Sequence, residues 1–302
     1  MRGSICSPAV TSPVTQSAPS DMTRGMVSVP DLDSKIHVLR GNLRDMRRVL
    51  VAFSGGVDST YLLAEAVGVL GDDAIALTAI SGTLPEAEYA DAKALAKELS
   101  ATHLLVDSHE LELDGYRKNP TNRCYFCKTE LYGLCVAKAT EVGIPVILDG
   151  VNIDDLGDYR PGRKAAAEHG IRSPLVEAGF TKADVRAASE RLGLRTARKQ
   201  AFACLGSRFP YGTEITPERL RRIGACEDVL RNLGFRQFRC RFHDTIVRIE
   251  VAPDELPRLF EPALREQVTR AMRAQGFLYV TVDLMGYRMG SMNEAIQPVA
   301  TA

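Results

Sequence analysis

Apolar residues recur at helical spacing from Leu32 through Ile36, Leu39, Leu43 and Met46, and the run Arg48-Val49-Leu50-Val51-Ala52-Phe53 follows as a continuous apolar stretch. This pattern predicts a helix and then a short buried strand. After a Gly-rich turn, helical periodicity resumes over 60–70, a strand is expected over 74–80, a helix over 86–99 and a strand over 102–106. A helix over about 124–142 and the strand Val146-Ile147-Leu148-Asp149 extend the alternation. Residues 33–205 are therefore expected to form an α/β domain: a doubly wound, mostly parallel, Rossmann-like sheet, whose ligands sit at the carboxyl ends of its strands.

Past the loop around Cys204 to Gly212 the pattern changes to helix over 217–233, strand over 246–251, helix over 255–275 and strand over 278–284. That reads as a second, smaller α/β domain over 206–302. Residues 1–32 are rich in Ser, Thr, Pro and Val without an apolar period before Leu32, and are expected to be a disordered tail.

Composition adds exclusions. With 38 basic and 38 acidic residues in 302, 45% hydrophobic, no global field recruits nucleic acid. No run of about 18 apolar residues and no secretion signal are visible, so a cytoplasmic protein is expected. Seven cysteines in such a chain are free thiols, metal ligands or catalysts more readily than disulfides.

The turn Ser54-Gly55-Gly56-Val57-Asp58-Ser59 lies between the first strand and the next helix. Glycines there let backbone approach an anion, and the helix start offers unpaired N–H groups. A plain Gly-rich βα turn would look similar, but the hexapeptide and its setting agree with phosphate. No Gly-Lys-Ser/Thr follows, so this is not a Walker A loop and γ-phosphate transfer is disfavoured.

Cys124 and Cys127 form a CxxC in Asn122-Arg123-Cys124-Tyr125-Phe126-Cys127-Lys128, a spacing that suits an iron–sulfur cluster, zinc or a redox pair. Structural zinc lacks a second ligand pair. Cys204 lies in Cys204-Leu205-Gly206-Ser207-Arg208-Phe209-Pro210-Tyr211-Gly212, where Arg208 is expected to lower its pKa and make it a nucleophile; an inert buried thiol is the alternative. Cys6, Cys135, Cys226 and Cys240 read as small core or surface residues.

The Ser-Gly-Gly-Val-Asp-Ser turn resembles the PP-loop of the N-type ATP pyrophosphatases, which split ATP into AMP and pyrophosphate. The Cys204 loop resembles that of the LarE family, ATP-dependent sulfur transferases that help build the nickel-pincer nucleotide of lactate racemase. Asp149-Gly150-Val151-Asn152-Ile153-Asp154-Asp155, Asp158-Tyr159-Arg160-Pro161-Gly162, Arg239-Cys240-Arg241, Ile249-Glu250-Val251 and Gly286-Tyr287-Arg288-Met289-Gly290-Ser291-Met292-Asn293-Glu294 agree, so the likeness spans about residues 33–295.

That resemblance implies adenylation of a carboxylate of pyridinium-3,5-biscarboxylic acid mononucleotide by ATP with Mg2+, followed by sulfur attack to give a thiocarboxylate. It implies ATP contacts from Ala52, Ser54, Gly55, Gly56, Asp58, Ser59, Ser81, Gly150, Asp155 and Arg160, with the hydroxyls of Ser54 and Ser59 on the pyrophosphate. Thr78 and Ala79 join Ser81 as candidates for holding adenine. Substrate phosphate falls to Ser207, Arg208, Arg239, Arg241 and Arg288, and Glu227 and Glu250 match acidic positions near a subunit interface, where they are candidate metal ligands. The sulfur comes either from a 4Fe-4S cluster on Cys124, Cys127 and Cys204, the preferred reading, or from Cys204 itself, which then becomes dehydroalanine. A homo-oligomer is implied.

Independently of the resemblance, Asp154, Asp155 and Asp158 with Arg160 follow a strand end, where carboxylates suit Mg2+ and the guanidinium a phosphate; a solvated acidic turn is the alternative. Arg239 and Arg241 alternate on one strand face and can converge on one anion.

Three other functions compete. A tRNA-thiolating enzyme would share loop and cysteines but carry a basic patch. An amidating ligase would dispense with Cys204, and a non-catalytic nucleotide-binding protein would release no pyrophosphate.

Overall fold

The computed structural model describes residues 31–157, 161–200, 203–288 and 290–291. The expected tail, Cys6, Asp158, Tyr159 and Arg160 therefore lie outside the described residues, apart from residues 31 and 32.

Asp31 accepts the Ser34 amide and starts α1 (Leu32–Met46), whose Leu39, Leu43 and Met46 are buried. Then come β1 (Val49–Ala52), α2 (Val57–Leu70), β2 (Ala74–Ile80), α3 (Glu86–Glu98) and β3 (Thr102–Asp107). The chain continues through α4 (Asp114–Arg117), α5 (Arg123–Glu141), β4 (Val146–Leu148), α6 (Gly162–Glu168), α7 (Pro174–Glu177) and α8 (Lys182–Arg191). Of these, α4, α6, α7 and α8 carry no strong apolar period and were not expected.

The four strands form one parallel sheet in the order β3-β2-β1-β4. Strand alternation covers both faces: Val49 and Val51 enter a core with α1, α2 and α3, whereas Leu50 enters a core with Tyr132, Cys135 and Ala139 of α5. The doubly wound expectation is what the residues form.

The remaining chain contains α9 (Pro217–Asn232), β5 (Phe238–His243), β6 (Ile246–Val251), α10 (Pro262–Ala274) and β7 (Tyr279–Val282). β5 pairs antiparallel with β6, and β6 pairs parallel with β7. The continuous helix expected over 255–275 is corrected: Pro253–Phe260 is a 3-10 stretch and α10 starts anew at Pro262. Pro257 and Pro262 lack the N–H that an uninterrupted helix requires.

This sheet packs on α9 and α10 through Leu220, Ile223, Leu230, Phe242, Ile249 and Met272, and the same core takes in Tyr116 of α4 and Leu205. Phe126 and Cys127, in the first turn of α5, pack against it too. Among the described residues no helix is long and apolar enough to cross a membrane.

Candidate active site

The Ser54–Ser59 turn joins β1 to α2 at the carboxyl end of an inner strand of the sheet. Gly55 has φ +70°, and a Cβ there would stand 3.2 Å from Ala92 of α3, so glycine satisfies both backbone and packing. Ser54 Oγ and Ser59 Oγ are 3.2 Å apart, and the Ser59 hydroxyl donates to the Gly56 carbonyl at 3.3 Å. Gly150, after β4, presses on α2: a Cβ would meet Ser59 N at 2.9 Å. Gly150 thus stands against the turn, as does Ala52 at the end of β1.

Asp58 is fixed from two sides. Lys182 Nζ lies 2.5 Å from Asp58 Oδ2, and Asn152 Nδ2 donates to Oδ1 at 3.2 Å. Asp155 Oδ2 accepts the Asn152 amide at 3.1 Å, and Asp154 Oδ2 accepts the Lys182 amide at 2.7 Å. Both carboxylates therefore cap backbone and frame the Asp58 contact. Neither Lys182 nor Asn152 was singled out from the sequence.

The hydroxyls of the adenine-side candidates Thr78 and Ser81 are engaged within the protein. Thr78 Oγ1 donates to Phe53 O at 2.7 Å, and Ser81 Oγ donates to the buried Glu110 Oε1 at 2.8 Å. Thr83 Oγ1 donates to the same oxygen, and the Glu110 charge is felt by the Cys127 thiol. Hydrogen bonds thus gather Ser81 and Thr83 on Glu110, a residue that sequence reasoning missed.

Cys124 is exposed on the first turn of α5, while Cys127 and Cys204 are half-buried. Burial and Glu110 push the Cys127 thiol well above its ordinary range. The expectation that Arg208 lowers the Cys204 pKa is corrected: burial raises it, outweighing Arg123 and, less strongly, Arg208. Arg208 has its charge matched by Glu227, through bidentate contacts of 2.8 and 2.9 Å.

Arg123 is buried, and its Nη1 donates to Asn119 Oδ1 at 2.5 Å and to Gly206 O at 2.8 Å. The Cys204 and Cys124 thiols are among its electrostatic neighbours. The donor set suits iron–sulfur ligation in kind, three thiols with two of them an i,i+3 step apart on one helix. Among the described residues no group of three His, Cys, Asp or Glu is preformed to hold a metal ion.

A second cluster flanks Cys204. Arg208 Nη1 donates to Ala203 O at 2.6 Å, Cys204 O at 3.0 Å and Ser207 Oγ at 2.8 Å. Arg241 makes bidentate contacts of 2.9 and 2.8 Å with Glu250 and donates to Ser207 O at 2.9 Å. Arg239 stacks over Tyr287 at 5.0 Å and lies in the field of Arg208 and Arg241; desolvation lowers its pKa. Ser207, Arg208, Arg239 and Arg241 are thus brought together. Arg288 instead contacts Asp283 and the Gly286 carbonyl. Glu227 and Glu250, expected near an interface, are buried carboxylate partners of Arg208 and Arg241.

The Cys204 loop and the arginine cluster are joined through Ser207, whose hydroxyl donates to the Cys204 carbonyl and whose own carbonyl accepts from Arg241. No protein-family model matches the chain. An uncharacterised protein of Synechocystis sp. is 44% identical over 265 residues, covering 88% of this chain and 99% of its own. The pyridinium-3,5-bisthiocarboxylic acid mononucleotide synthase of Lactiplantibacillus plantarum is 40% identical over 266 residues, covering 88% of this chain and 96% of its own. An uncharacterised protein of Methanocaldococcus jannaschii is 28% identical over 261 residues, 84% of this chain and 97% of its own.

Proposed function

Because the chain belongs to the LarE family of ATP-using sulfur transferases, we propose that it converts a carboxylate of pyridinium-3,5-biscarboxylic acid mononucleotide into a thiocarboxylate. The observation that carries this reading is the contact between Arg208 and the Cys204 carbonyl at 3.0 Å, which sets the thiol-bearing loop beside the arginine cluster to which the nucleotide phosphate is assigned.

A substrate carboxylate oxygen attacks the α-phosphorus of ATP, the α–β phosphoanhydride bond breaks, and pyrophosphate leaves into the Ser54–Ser59 turn. Asp58 and the cap carboxylate Asp155 would hold Mg2+, which would draw charge from the phosphates, and Arg160 would hold a phosphate oxygen. The acyl adenylate then has AMP as its leaving group, which a carboxylate lacks. Sulfur attacks the acyl carbon and AMP departs.

Cys124, Cys127 and Cys204 would hold a 4Fe-4S cluster, which when bound supplies a transferable sulfide. A second reading has the Cys204 sulfur attack directly. Loss of the Cys204 α-proton then breaks its Cβ–S bond, leaving dehydroalanine and the thiocarboxylate. It is favoured by the position of Cys204, held at its carbonyl by both Arg208 and Ser207 Oγ, the latter at 2.9 Å.

The test is anaerobic mass spectrometry of protein and products after reaction with ATP, Mg2+ and the dicarboxylated mononucleotide, with and without sulfide. Thiocarboxylate that needs added sulfide and leaves Cys204 intact supports the cluster; dehydroalanine at position 204 supports the second reading. Pyrophosphate release without any sulfur product would reject both. A homo-oligomer in the cytoplasm, supporting nickel-pincer nucleotide synthesis for a lactate racemase, completes the proposal.

A further inference from the structure

Lys199 lies far from the Ser54–Ser59 turn in sequence yet reaches it. Its Nζ donates to Gly55 O at 3.1 Å across a separation of 144 residues, and to Asp91 Oδ2 at 2.5 Å. Glu88 Oε2 stands 2.8 Å away as an ion-pair partner. Asp91 is shared with Arg195, at 2.5 Å, so the carboxylates of α3 clasp the 195–199 segment against the turn. The lysine is mostly buried, 19% exposed, and its charge is matched by the two α3 carboxylates.

Such a lysine has little charge to offer a phosphate, but it fixes a peptide plane. In a trans peptide the C=O and the following N–H point in opposite directions. Holding the Gly55 carbonyl toward Lys199 therefore aims the Gly56 N–H away from it, to the side where Ser54 Oγ lies at a long 3.4 Å. That amide bond is weak enough to be exchanged for a phosphate oxygen. Gly55 has the backbone freedom to turn the plane over, and beside the long Gly56–Ser54 contact it is the lysine that opposes this.

We propose that Lys199 is a positioning residue that orients the Gly56 amide toward the leaving pyrophosphate. The inference rests on the reading of this turn as the ATP site, and deepens it. Lys199 acts through backbone and touches no substrate.

The experiment is equilibrium binding of inorganic pyrophosphate with Mg2+, and separately of AMP, to the full chain. In Lys199→Met, pyrophosphate affinity falls about tenfold, the size expected for one charge-assisted hydrogen bond, while AMP affinity holds. Lys199→Arg, which keeps donor and charge, stays close to the parent. The double variant Lys199→Met with Glu88→Gln stays as weak as Lys199→Met, because restoring charge balance does not restore the peptide plane. Unchanged pyrophosphate binding in Lys199→Met, equal losses for AMP and pyrophosphate, or recovery in the double variant would each overturn the inference. Failure of the parent chain to bind pyrophosphate would instead remove the ATP reading itself.

Discussion

Lys182 Nζ meets Asp58 Oδ2 at 2.5 Å, joining the first turn of α8 to the Gly-rich turn across 124 residues. The pair is about a third and a fifth exposed, so solvent screens it and its contribution to stability is small. Its consequence is positional: with Asn152 on Oδ1, the Asp58 carboxylate has one available orientation.

Lys182→Met is accordingly expected to lower the rate of pyrophosphate release by about 10- to 100-fold through misplacement of Asp58, while shifting the melting temperature by only about 2–4 °C. Steady-state release assays beside calorimetry check this. A large thermal loss with unchanged turnover would contradict it.

Arg208 and Glu227 are both nearly excluded from water, with side-chain exposures of 1% and 4%. Glu227→Gln leaves the guanidinium without its counter-charge and should cost about 3–5 kcal/mol in urea unfolding. Combining it with Arg208→Met should recover much of that loss, since the cost lies in an unpaired charge and not in a missing contact.

Gly206 has little room beside it. A Cβ at this position would stand 2.3 Å from the Tyr116 hydroxyl, with Tyr116 Cζ and Ile215 Cδ1 at ordinary contact distances of 3.4 and 3.5 Å. Gly206→Ala should therefore destabilise by about 1–3 kcal/mol. Tyr116→Phe removes the obstructing oxygen, which has no hydrogen-bond partner to lose, and should be nearly neutral alone while rescuing Gly206→Ala. A double variant no more stable than Gly206→Ala would show that another contact sets the requirement.

Cys135 and Cys226 are fully buried, and burial pushes both thiols up to about 12. Below the ordinary thiol range, folded and unfolded chains alike keep these protons and the stabilising contribution is complete. As pH rises from about 9 toward 12, the unfolded chain sheds protons that the fold retains, so stability falls. The urea midpoint should drop between pH 8 and about pH 10, and Cys135→Ala with Cys226→Ala should flatten that slope.

The parallel sheet and the Gly-rich turn between β1 and α2 were legible because both are local. Apolar runs of strand length alternate with helical periods, and the hexapeptide sits where one gives way to the other. The strand carrying Arg239 and Arg241 was legible from the alternation of those two arginines about Cys240. The break at Pro262 was missed because apolar spacing continues across it.

Lys182, Lys199 and Glu110 left no comparable trace. Their partners lie 124, 144 and 27 to 29 residues away, and a lone lysine or glutamate on a helix or loop looks like surface charge until the fold closes. The thiol acidity expected from a neighbouring arginine failed for a related reason, because sequence lists charges but not the desolvation opposing them.

Tyr116 and Leu205 belong to the core beneath the second sheet, and Phe126 leans on it from the start of α5. A polypeptide stopped at 205 would leave those rings without cover, and one begun at 206 would lack the tyrosine beneath its sheet. As a material for split-protein engineering the chain is therefore not two modules in series: either half made alone should be insoluble, and function should return only when both are synthesised together.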